Sequence, residues 1–252
     1  MGSYLKIASF NVSGGFYVGN EDTEYLDREA ANSVDDRMLK QIIDTINSEN
    51  IDVICFQEII TTKEVEYIEK IVKNTNLKYH EEYQLSPCNL VKDTDCGIAI
   101  LSKYPITNTI KELFPNPKLS KTTSSGNTYY TYDKGYMICS IQKDDKDFRV
   151  LTHHGFPYRR FNSAPEKNKQ VFDFFSKVIL KNSPTAITGD FNAENFMELM
   201  EDVFNNYVRT INTITTVDGK MFDDICVLKG TKYESKIIKL LSDHFLVITT
   251  IE

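Results

Sequence analysis

The sequence lacks any apolar run long enough to cross a membrane as a helix, which takes about 18 or more consecutive apolar residues. The first stretch, MGSYLKIASFNV, has its apolar part interrupted by Lys6, so it predicts a first strand rather than a signal peptide. The five cysteines are an odd number and include no CxxC pair, which favours reduced thiols over a disulfide scaffold. Together these absences predict a cytoplasmic protein without a transmembrane segment.

Positive charge is also scarce. Lys and Arg number 29 against 36 Asp and Glu, which gives a net charge of -7. This argues against a protein that coats nucleic acid non-specifically, because such a protein needs a broad basic surface. It does not exclude an enzyme that offsets the charge of a phosphate with a bound metal ion. We find no internal repeat and no linker rich in Gly, Pro or Ser, so we expect one domain over residues 1–252 and a monomer.

Short apolar segments rich in Ile, Val and Phe alternate with helical patterns, which predicts an α/β chain with buried strands. The predicted strands are Leu5–Phe10, Val53–Phe56, Ile98–Leu101, Met137–Ile141, Arg149–Thr152, Thr185–Thr188, Phe222–Leu228 and Phe245–Ile251. The predicted helices are Val34–Ile46, Glu64–Asn74, Ser163–Ile179 and Phe196–Phe204, and the third begins with a capping box at Ser163–Glu166. The segment Lys111–Gly135 is predicted to be a long loop.

Polar side chains stand at the points where predicted strands end. These residues are Asn11, Glu58, His153 with His154, and Asp190 with Asn192. In α/β folds the loops at the carboxyl ends of strands converge on one site. Asp223-Asp224 and Asp243-His244 precede strands instead. They reach the same edge if the last two strands run opposite to the first four, which predicts a mixed sheet.

Taken one at a time, these residues have ordinary structural explanations. Asp190 and Asn192 are common turn formers, Glu58 can be a solvated strand end, and His244 can be a core histidine. Taken together, the carboxylates and amides form a set of hard oxygen ligands that suits Mg²⁺ or Mn²⁺, whereas no HxxxH or CxxC supports zinc. Such a set can hydrolyse a phosphate ester with an activated water.

The chain resembles the endonuclease/exonuclease/phosphatase superfamily of metal-dependent phosphoesterases related to deoxyribonuclease I. The stretches that carry the resemblance occur in the family's order and span nearly the whole chain: LKIASFNV, IDVICFQEI, CGIAILSKYPI, VLTHHG, AITGDFNA, FDDICVL and SDHFLV. The resemblance implies an α/β (α+β) fold, a four-layer sandwich of two packed mixed β-sheets flanked by helices.

The resemblance also implies a role for each matching residue. Glu58 would be the principal metal ligand, Asp243 would complete the metal side, and Asn11 would assist at the metal and the phosphate. Asp190 would orient or deprotonate the water, Asn192 would contact the phosphate, and His244 would face it with Asp223 as its orienting partner. His153 matches the family's second histidine, although adjacent residues of a strand face opposite ways, so His154 is the alternative.

Two departures point away from the apurinic-endonuclease branch: Ser13 stands where that branch has Asp, and that branch lacks a histidine at the position of His153. The remaining branches include nucleases, sphingomyelinases and inositol-phosphate phosphatases. We expect a nucleic acid as substrate, with the lipid and inositol phosphates as alternatives, and a catalytically silent binding module as the alternative of a different class. Arg159 and Arg160, in the loop FPYRRFN, are candidates to clamp a phosphate or stack on a base, and Tyr129–Tyr132 is a candidate substrate-facing segment.

Overall fold

The structure is a computed structural model, and it describes residues 4–15, 27 and 29–252. Its strands are β1 (Leu5–Asn11), β2 (Val53–Ile60), β3 (Tyr79–Pro87), β4 (Asp95–Ser102), β5 (Ile106–Leu113), β6 (Ser120–Thr122), β7 (Thr128–Tyr130), β8 (Gly135–Lys143), β9 (Lys146–His154), β10 (Ala186–Asp190), β11 (Tyr207–Arg209), β12 (Asp223–Leu228), β13 (Tyr233–Ile238) and β14 (Leu246–Ile251). Its helices are α1 (Asp36–Glu49), α2 (Tyr67–Asn74), α3 (Lys169–Asn182), α4 (Phe196–Leu199) and α5 (Glu201–Phe204). Every predicted strand and helix is present, and the helix predicted to follow Asn195 is divided into α4 and α5.

The strands form two six-stranded sheets and a separate hairpin of β6 and β7. The strand order is β13-β14-β1-β2-β4-β3 in the first sheet and β11-β12-β10-β9-β8-β5 in the second. β1 is parallel to β2 and β9 is parallel to β10, whereas β14 and β12 run antiparallel to their neighbours β1 and β10. The prediction of mixed sheets with the last strands reversed is therefore confirmed.

Side-chain alternation along the strands divides the core into layers. In β2, Val53 and Cys55 belong to the core between the two sheets, whereas Ile54 and Phe56 belong to the core beneath α1 and α2. In β9, Leu151 packs with the residues of α3 on the outer side of the second sheet. The result is a sandwich of helices, sheet, sheet and helices, so the predicted fold class is confirmed.

The predicted capping box at the start of α3 is wrong. Ala164 is the N-cap of the 3-10 turn Pro165–Asn168 that leads into α3, and alanine has no side-chain oxygen with which to cap. The Ser163 hydroxyl accepts a hydrogen bond from the Asn168 side-chain amide at 3.1 Å instead. The 3-10 turn between the serine and the α-helix changes the spacing that a capping box requires.

The segment predicted as a long loop, residues 111–135, contains ordered secondary structure. β5 continues to Leu113, and the β6–β7 hairpin follows with its tip at Gly126. The hairpin strands are short and polar, with Ser, Thr and Lys at most positions, so they lack the apolar alternation that predicts a strand.

No helix in the described part of the chain is both long enough and apolar enough to span a bilayer.

The end of β10 approaches β9 more closely than a side chain would permit. Gly189 pairs with His153 across these parallel strands and has a φ of +146°. A Cβ atom on Gly189 would overlap the carbonyl oxygen of His153. Glycine is therefore required at this position, and the close approach sets the next residue of β10, Asp190, beside His154.

Gly189→Ala is expected to lower the free energy of unfolding by more than Gly126→Ala. Both glycines have positive φ values, so both substitutions carry a backbone cost of roughly 1–2 kcal/mol, but nothing lies within 4 Å of a Cβ on Gly126. Urea unfolding of the two variants and the wild type measures the difference. Equal losses in the two variants would contradict a close approach of β10 to β9.

Candidate active site

One hydrogen bond joins the two sheets at the edge where the polar strand ends meet. Asn11 ends β1 in the first sheet, and Asp190 ends β10 in the second. The side-chain amide of Asn11 donates to Asp190 Oδ2 at 3.1 Å, and both residues are buried. A hydrogen bond in such a low-dielectric setting is stronger than at the surface, so it holds the two halves of the site in register.

A β-bulge in β2 places Glu58 at this edge. The pairing of β2 with β4 shifts between Gln57 and Ile59, and Glu58 has a φ of 52°. Phe56 and Ile59 both lie in the core beneath α1 and α2, although strict alternation would put them on opposite faces. The bulge therefore places the Glu58 side chain outside the regular alternation of β2. Its Oε1 lies 3.4 Å from the amide nitrogen of Asn11. Backbone strain of this kind is concentrated at functional sites.

The turn from Asp190 to Asn192 stabilises the chain locally and also fixes a buried carboxylate. Asp190 Oδ1 accepts the backbone N–H of Asn192 at 2.8 Å, and Oδ2 accepts its side-chain amide at 3.2 Å. The same amide donates to the Gly155 carbonyl at 3.1 Å. Asp190 and Asn192 therefore form a turn and belong to the site at the same time, so the two explanations of these residues do not compete.

Asp190 has the electrostatics of a proton acceptor at neutral pH. Burial raises its pKa to about 7, with a further upward contribution from the carboxylates of Asp223 and Glu58 and an opposing one from the charge of His244. A general base works best when its pKa lies near the working pH, because it then accepts and releases the proton with similar ease.

His244 and Asp223 form a buried pair next to Asp190. His244 Nδ1 lies 2.8 Å from Asp223 Oδ2, and His244 Nε2 lies 3.8 Å from Asp190 Oδ2. Burial acts to lower the pKa of His244, but the surrounding carboxylates outweigh it and hold that pKa well above its usual range. Asp224 belongs to a different interaction, because its Oδ2 accepts a hydrogen bond from Arg209 Nε at 2.5 Å.

Asp243 is held by Ser13, a residue that in the sequence is marked only by its departure from one family branch. The Ser13 hydroxyl donates to Asp243 Oδ1. Burial acts to raise the pKa of Asp243, but the charge of His244, this hydrogen bond and the charge of Arg160 lower it overall. The backbone N–H of Ser13 donates to Asn11 Oδ1 at 3.0 Å, so the oxygen of Asn11 is turned toward Ser13 and its amide nitrogen toward the carboxylates.

The prediction that His153 faces the site is wrong. Its ring lies 4.6 Å from the ring of Phe175 and 4.3 Å from that of Phe191, and neither of its nitrogens has a hydrogen-bond partner among the described residues. His154 faces the site instead, with Nε2 at 3.4 Å from Glu58 Oε1. Alternation along β9 allows one of the two histidines to face inward, and the inward position is that of His154.

Lys134, which no sequence pattern singled out, adds a positive charge to the site. Its Nζ lies 3.0 Å from His154 Nδ1. Because an ammonium group can only donate, we assign the ring proton of His154 to Nε2, the nitrogen that lies 3.4 Å from Glu58 and 3.7 Å from Asp190. Burial, together with the charge of Lys134, lowers the pKa of His154 well below its usual value, so the ring is neutral.

The two candidate phosphate-binding arginines lie in different places. Arg159 Nη1 is 3.7 Å from Asp218 Oδ2 on the surface, and both side chains are more than half exposed. Arg160 and Glu58 line a cavity of about 240 Å³ beside the site. The structure thus brings Arg160 to the site and leaves Arg159 in a surface ion pair.

The donor set of this edge fits a divalent cation. Among the described residues the compact group of metal-ligating side chains, with ligand atoms within 4.8 Å of one another, is Asp190, Asp223 and His244. This group differs from the predicted ligands, which were Glu58, Asp243 and Asn11. His244 is protonated and paired with Asp223, so it has no lone pair to offer a metal ion, and the carboxylates of this edge are the available donors. The raised pKa of Asp190 reflects burial beside other carboxylates, and a cation would relieve that repulsion. Oxygen donors of this kind suit Mg²⁺ or Mn²⁺.

Comparison with known families gives a match over residues 8–208 to the Endonuclease/Exonuclease/phosphatase family. The chain belongs to this family. Its members are phosphoesterases and generally depend on divalent metal ions. No match was found among curated proteins.

Solved structures of endonuclease/exonuclease/phosphatase proteins share the fold of this chain. One from Bacteroides vulgatus is 15% identical with a TM-score of 0.65, and the match covers 100% of this chain and 99% of that one. A humanized D. rerio TDP2 is 15% identical with a TM-score of 0.61 and 99% coverage of both chains. Sphingomyelinase C from Streptomyces griseocarneus is 12% identical with a TM-score of 0.64 and 100% coverage of both chains. At these identities the likeness shows the fold alone.

The buried position of His153 predicts a specific dependence of stability on pH. Burial lowers the pKa of His153 to about 3, whereas an unfolded histidine titrates near 6.5. Between these two values the unfolded chain binds the proton and the folded chain does not. His153 therefore destabilises the fold increasingly as pH falls from about 6.5 toward 3, by roughly 1.4 kcal/mol for each pH unit.

His153→Phe is expected to remove this contribution. Its free energy of unfolding should exceed that of the wild type by an amount that grows between pH 7 and pH 5, as urea unfolding at each pH would measure. The control is His80→Ala, which alters an exposed histidine. A difference between His153→Phe and wild type that stays constant with pH would contradict the buried, neutral ring.

Proposed function

We propose that this protein hydrolyses phosphodiester bonds with an activated water, that the reaction requires Mg²⁺ or Mn²⁺, and that the natural substrate is a nucleic acid. The observation that carries the proposal is the buried contact of Asp190 with the His244–Asp223 pair, opposite Glu58 and His154. This arrangement supplies a base, a cationic group and a neutral hydrogen-bond donor around one small space. Phosphodiester hydrolysis by water needs all three.

Asp190 takes the proton of the attacking water. Its pKa of about 7 matches this task, and its Oδ2 is held by Asn11 and Asn192 so that the carboxylate keeps one orientation. Removing either amide would free the carboxylate to rotate. Asn11 and Asn192 therefore act through Asp190 in addition to any contact with the phosphate.

His244 faces the scissile phosphate as a cation. Asp223 accepts the proton on Nδ1, which fixes the ring and leaves Nε2 directed toward Asp190 and the reacting centre. A fixed positive donor at this point stabilises the negative charge that develops on the phosphate oxygens. His154, neutral and with its proton assigned to Nε2, is a second donor, beside Glu58.

Glu58 and Asp243 are the proposed holders of the cation, assisted by Asn11, whereas Asp190 is left to accept the proton of the water. The bound cation would offset phosphate charge and stabilise the leaving oxygen. Ser13 fixes Asp243, and the bulge in β2 fixes Glu58, so both carboxylates are set in place by the chain itself. A catalytically silent binding module would have no need of a complete set of this kind.

The proposal predicts metal-dependent hydrolysis of bis(4-nitrophenyl) phosphate. Release of 4-nitrophenol should occur with Mg²⁺ or Mn²⁺ and stop with EDTA. Asp190→Ala and His244→Ala should each lower kcat by roughly 100-fold or more, which is the usual contribution of a general base or a charge-stabilising donor. The matched controls are Asp173→Ala and His80→Ala, which remove an exposed carboxylate and an exposed imidazole.

Activity that survives EDTA, or that survives either site substitution, would contradict the mechanism. For the substrate class, single-stranded and double-stranded DNA, RNA, sphingomyelin and inositol phosphates should be compared side by side. Turnover of a lipid or inositol phosphate with no cleavage of DNA or RNA would contradict the nuclease proposal and favour the alternatives.

A further inference from the structure

A cavity next to the proposed reacting centre is walled by aromatic side chains. It lies between the β6–β7 hairpin and the 3-10 turn Tyr158–Phe161, has a volume of about 240 Å³, and has Glu58 in its lining. The side chains that define its character are Tyr129, Tyr130, Tyr132, Phe161, Lys134 and Arg160. An apolar cavity of about 150 Å³ is enough to hold benzene, so this one has room for a larger planar ring system.

Two of the three tyrosines that line this cavity are exposed. Tyr130 is 66% exposed and Tyr132 is 48% exposed, whereas Phe161, in the 3-10 turn that borders the same cavity, is buried. Exposed aromatic rings grouped on one wall of a cavity mark a binding surface, since each ring offers a flat face to a ligand.

The hairpin that carries part of the aromatic wall is held in place by Asp27. Asp27 accepts hydrogen bonds from the hydroxyls of Thr123 at 3.1 Å, Ser125 at 2.9 Å and Tyr129 at 2.9 Å. One carboxylate thereby holds the turn and the second strand of the β6–β7 hairpin. A hairpin that is already ordered loses little backbone entropy when a ligand binds against it.

The charges in this cavity favour an anion. The lining carries two cations, Lys134 and Arg160, and one carboxylate, Glu58. Lys134 Nζ lies 3.0 Å from His154 Nδ1. A cation–π site for a quaternary ammonium group also uses aromatic walls, but here two positive charges stand against the one carboxylate of Glu58, so the net charge of the lining repels such a group. The combination of rings and cations instead matches a planar base that is linked to phosphate.

We propose that this cavity binds an unpaired nucleotide next to the scissile phosphate, with its base against Tyr130, Tyr132 and Phe161 and a flanking phosphate on Lys134 and Arg160. The base must leave its stack to enter, so the proposal selects single-stranded nucleic acid. The proposal rests on the proposed function for its catalytic part, whereas the binding of the nucleotide can be measured without hydrolysis.

The binding test uses a fluorescein-labelled, single-stranded hexathymidylate with phosphorothioate linkages, which resist hydrolysis, with and without Mg²⁺. Fluorescence anisotropy should show binding by the wild type, and Tyr130→Ala should weaken it at least about fivefold, since stacking on one ring contributes that much or more. Tyr79→Ala, an exposed tyrosine at the far end of β3, is the matched control and should bind as the wild type does. Lys134→Met should reduce the slope of log affinity against log salt concentration by roughly 0.7.

The activity test compares thymidine 5′-(4-nitrophenyl) phosphate with methyl 4-nitrophenyl phosphate, which share a leaving group. The wild type should have a higher kcat/KM on the nucleoside ester than on the methyl ester. Tyr130→Ala should lower the ratio of these two kcat/KM values at least about fivefold. The proposal would be overturned if Tyr130→Ala affected both esters equally. It would also be overturned if Tyr130→Ala lowered the hydrolysis of sphingomyelin and left the preference for the nucleoside ester unchanged. A wild type that fails to bind the oligonucleotide would overturn it as well. Binding that depends on Tyr130 without hydrolysis of either ester would support the nucleotide site and refute the proposed function.

Discussion

The site depends on keeping several carboxylates together and away from water. Asp190 is 1% exposed and Asp223 is fully buried, and the partly exposed carboxylates Glu58 and Asp243 lie at the same edge. Unpaired charges in such a place repel one another and lose their hydration, which would raise their pKa values and loosen the fold. The amides of Asn11 and Asn192 and the charge of His244 offset part of this repulsion. The negative charge that remains makes this edge a suitable place for a divalent cation.

The two-sheet architecture explains how these groups come to share one edge. The first sheet supplies Asn11 and Glu58, and the second supplies His154, Asp190 and Asp223. Neither sheet holds a complete set, so the site exists only when the sheets pack and the Asn11 amide reaches Asp190. Two local irregularities refine the arrangement: the bulge at Glu58 and the close approach of β10 to β9. Both lie on rigid strands, which hold side chains more accurately than loops can.

The sequence predicted the buried strands, their direction and the positions of most polar groups, because central strands bury both faces and end abruptly in polar residues. It did not predict the four edge strands β3, β5, β11 and β13, where only one side is paired and the composition is mixed. The choice between His153 and His154 failed for a related reason. Both faces of β9 are covered, one by α3 and one by the other sheet, so apolar alternation gives no sign of which histidine faces the site. Lys134 and Ser13 reach the site through long-range packing that leaves no local pattern.

The most direct test of this account is the binding of Mn²⁺ to the substrate-free protein by isothermal titration calorimetry. The wild type should bind Mn²⁺, and Glu58→Gln, which keeps the shape of the side chain but removes its charge, should weaken binding at least about tenfold. Glu64→Gln, at an exposed position, should leave the affinity unchanged. A wild type that binds no Mn²⁺, or a Glu58→Gln variant that binds it equally well, would contradict the claim that the carboxylates of this edge form a metal site.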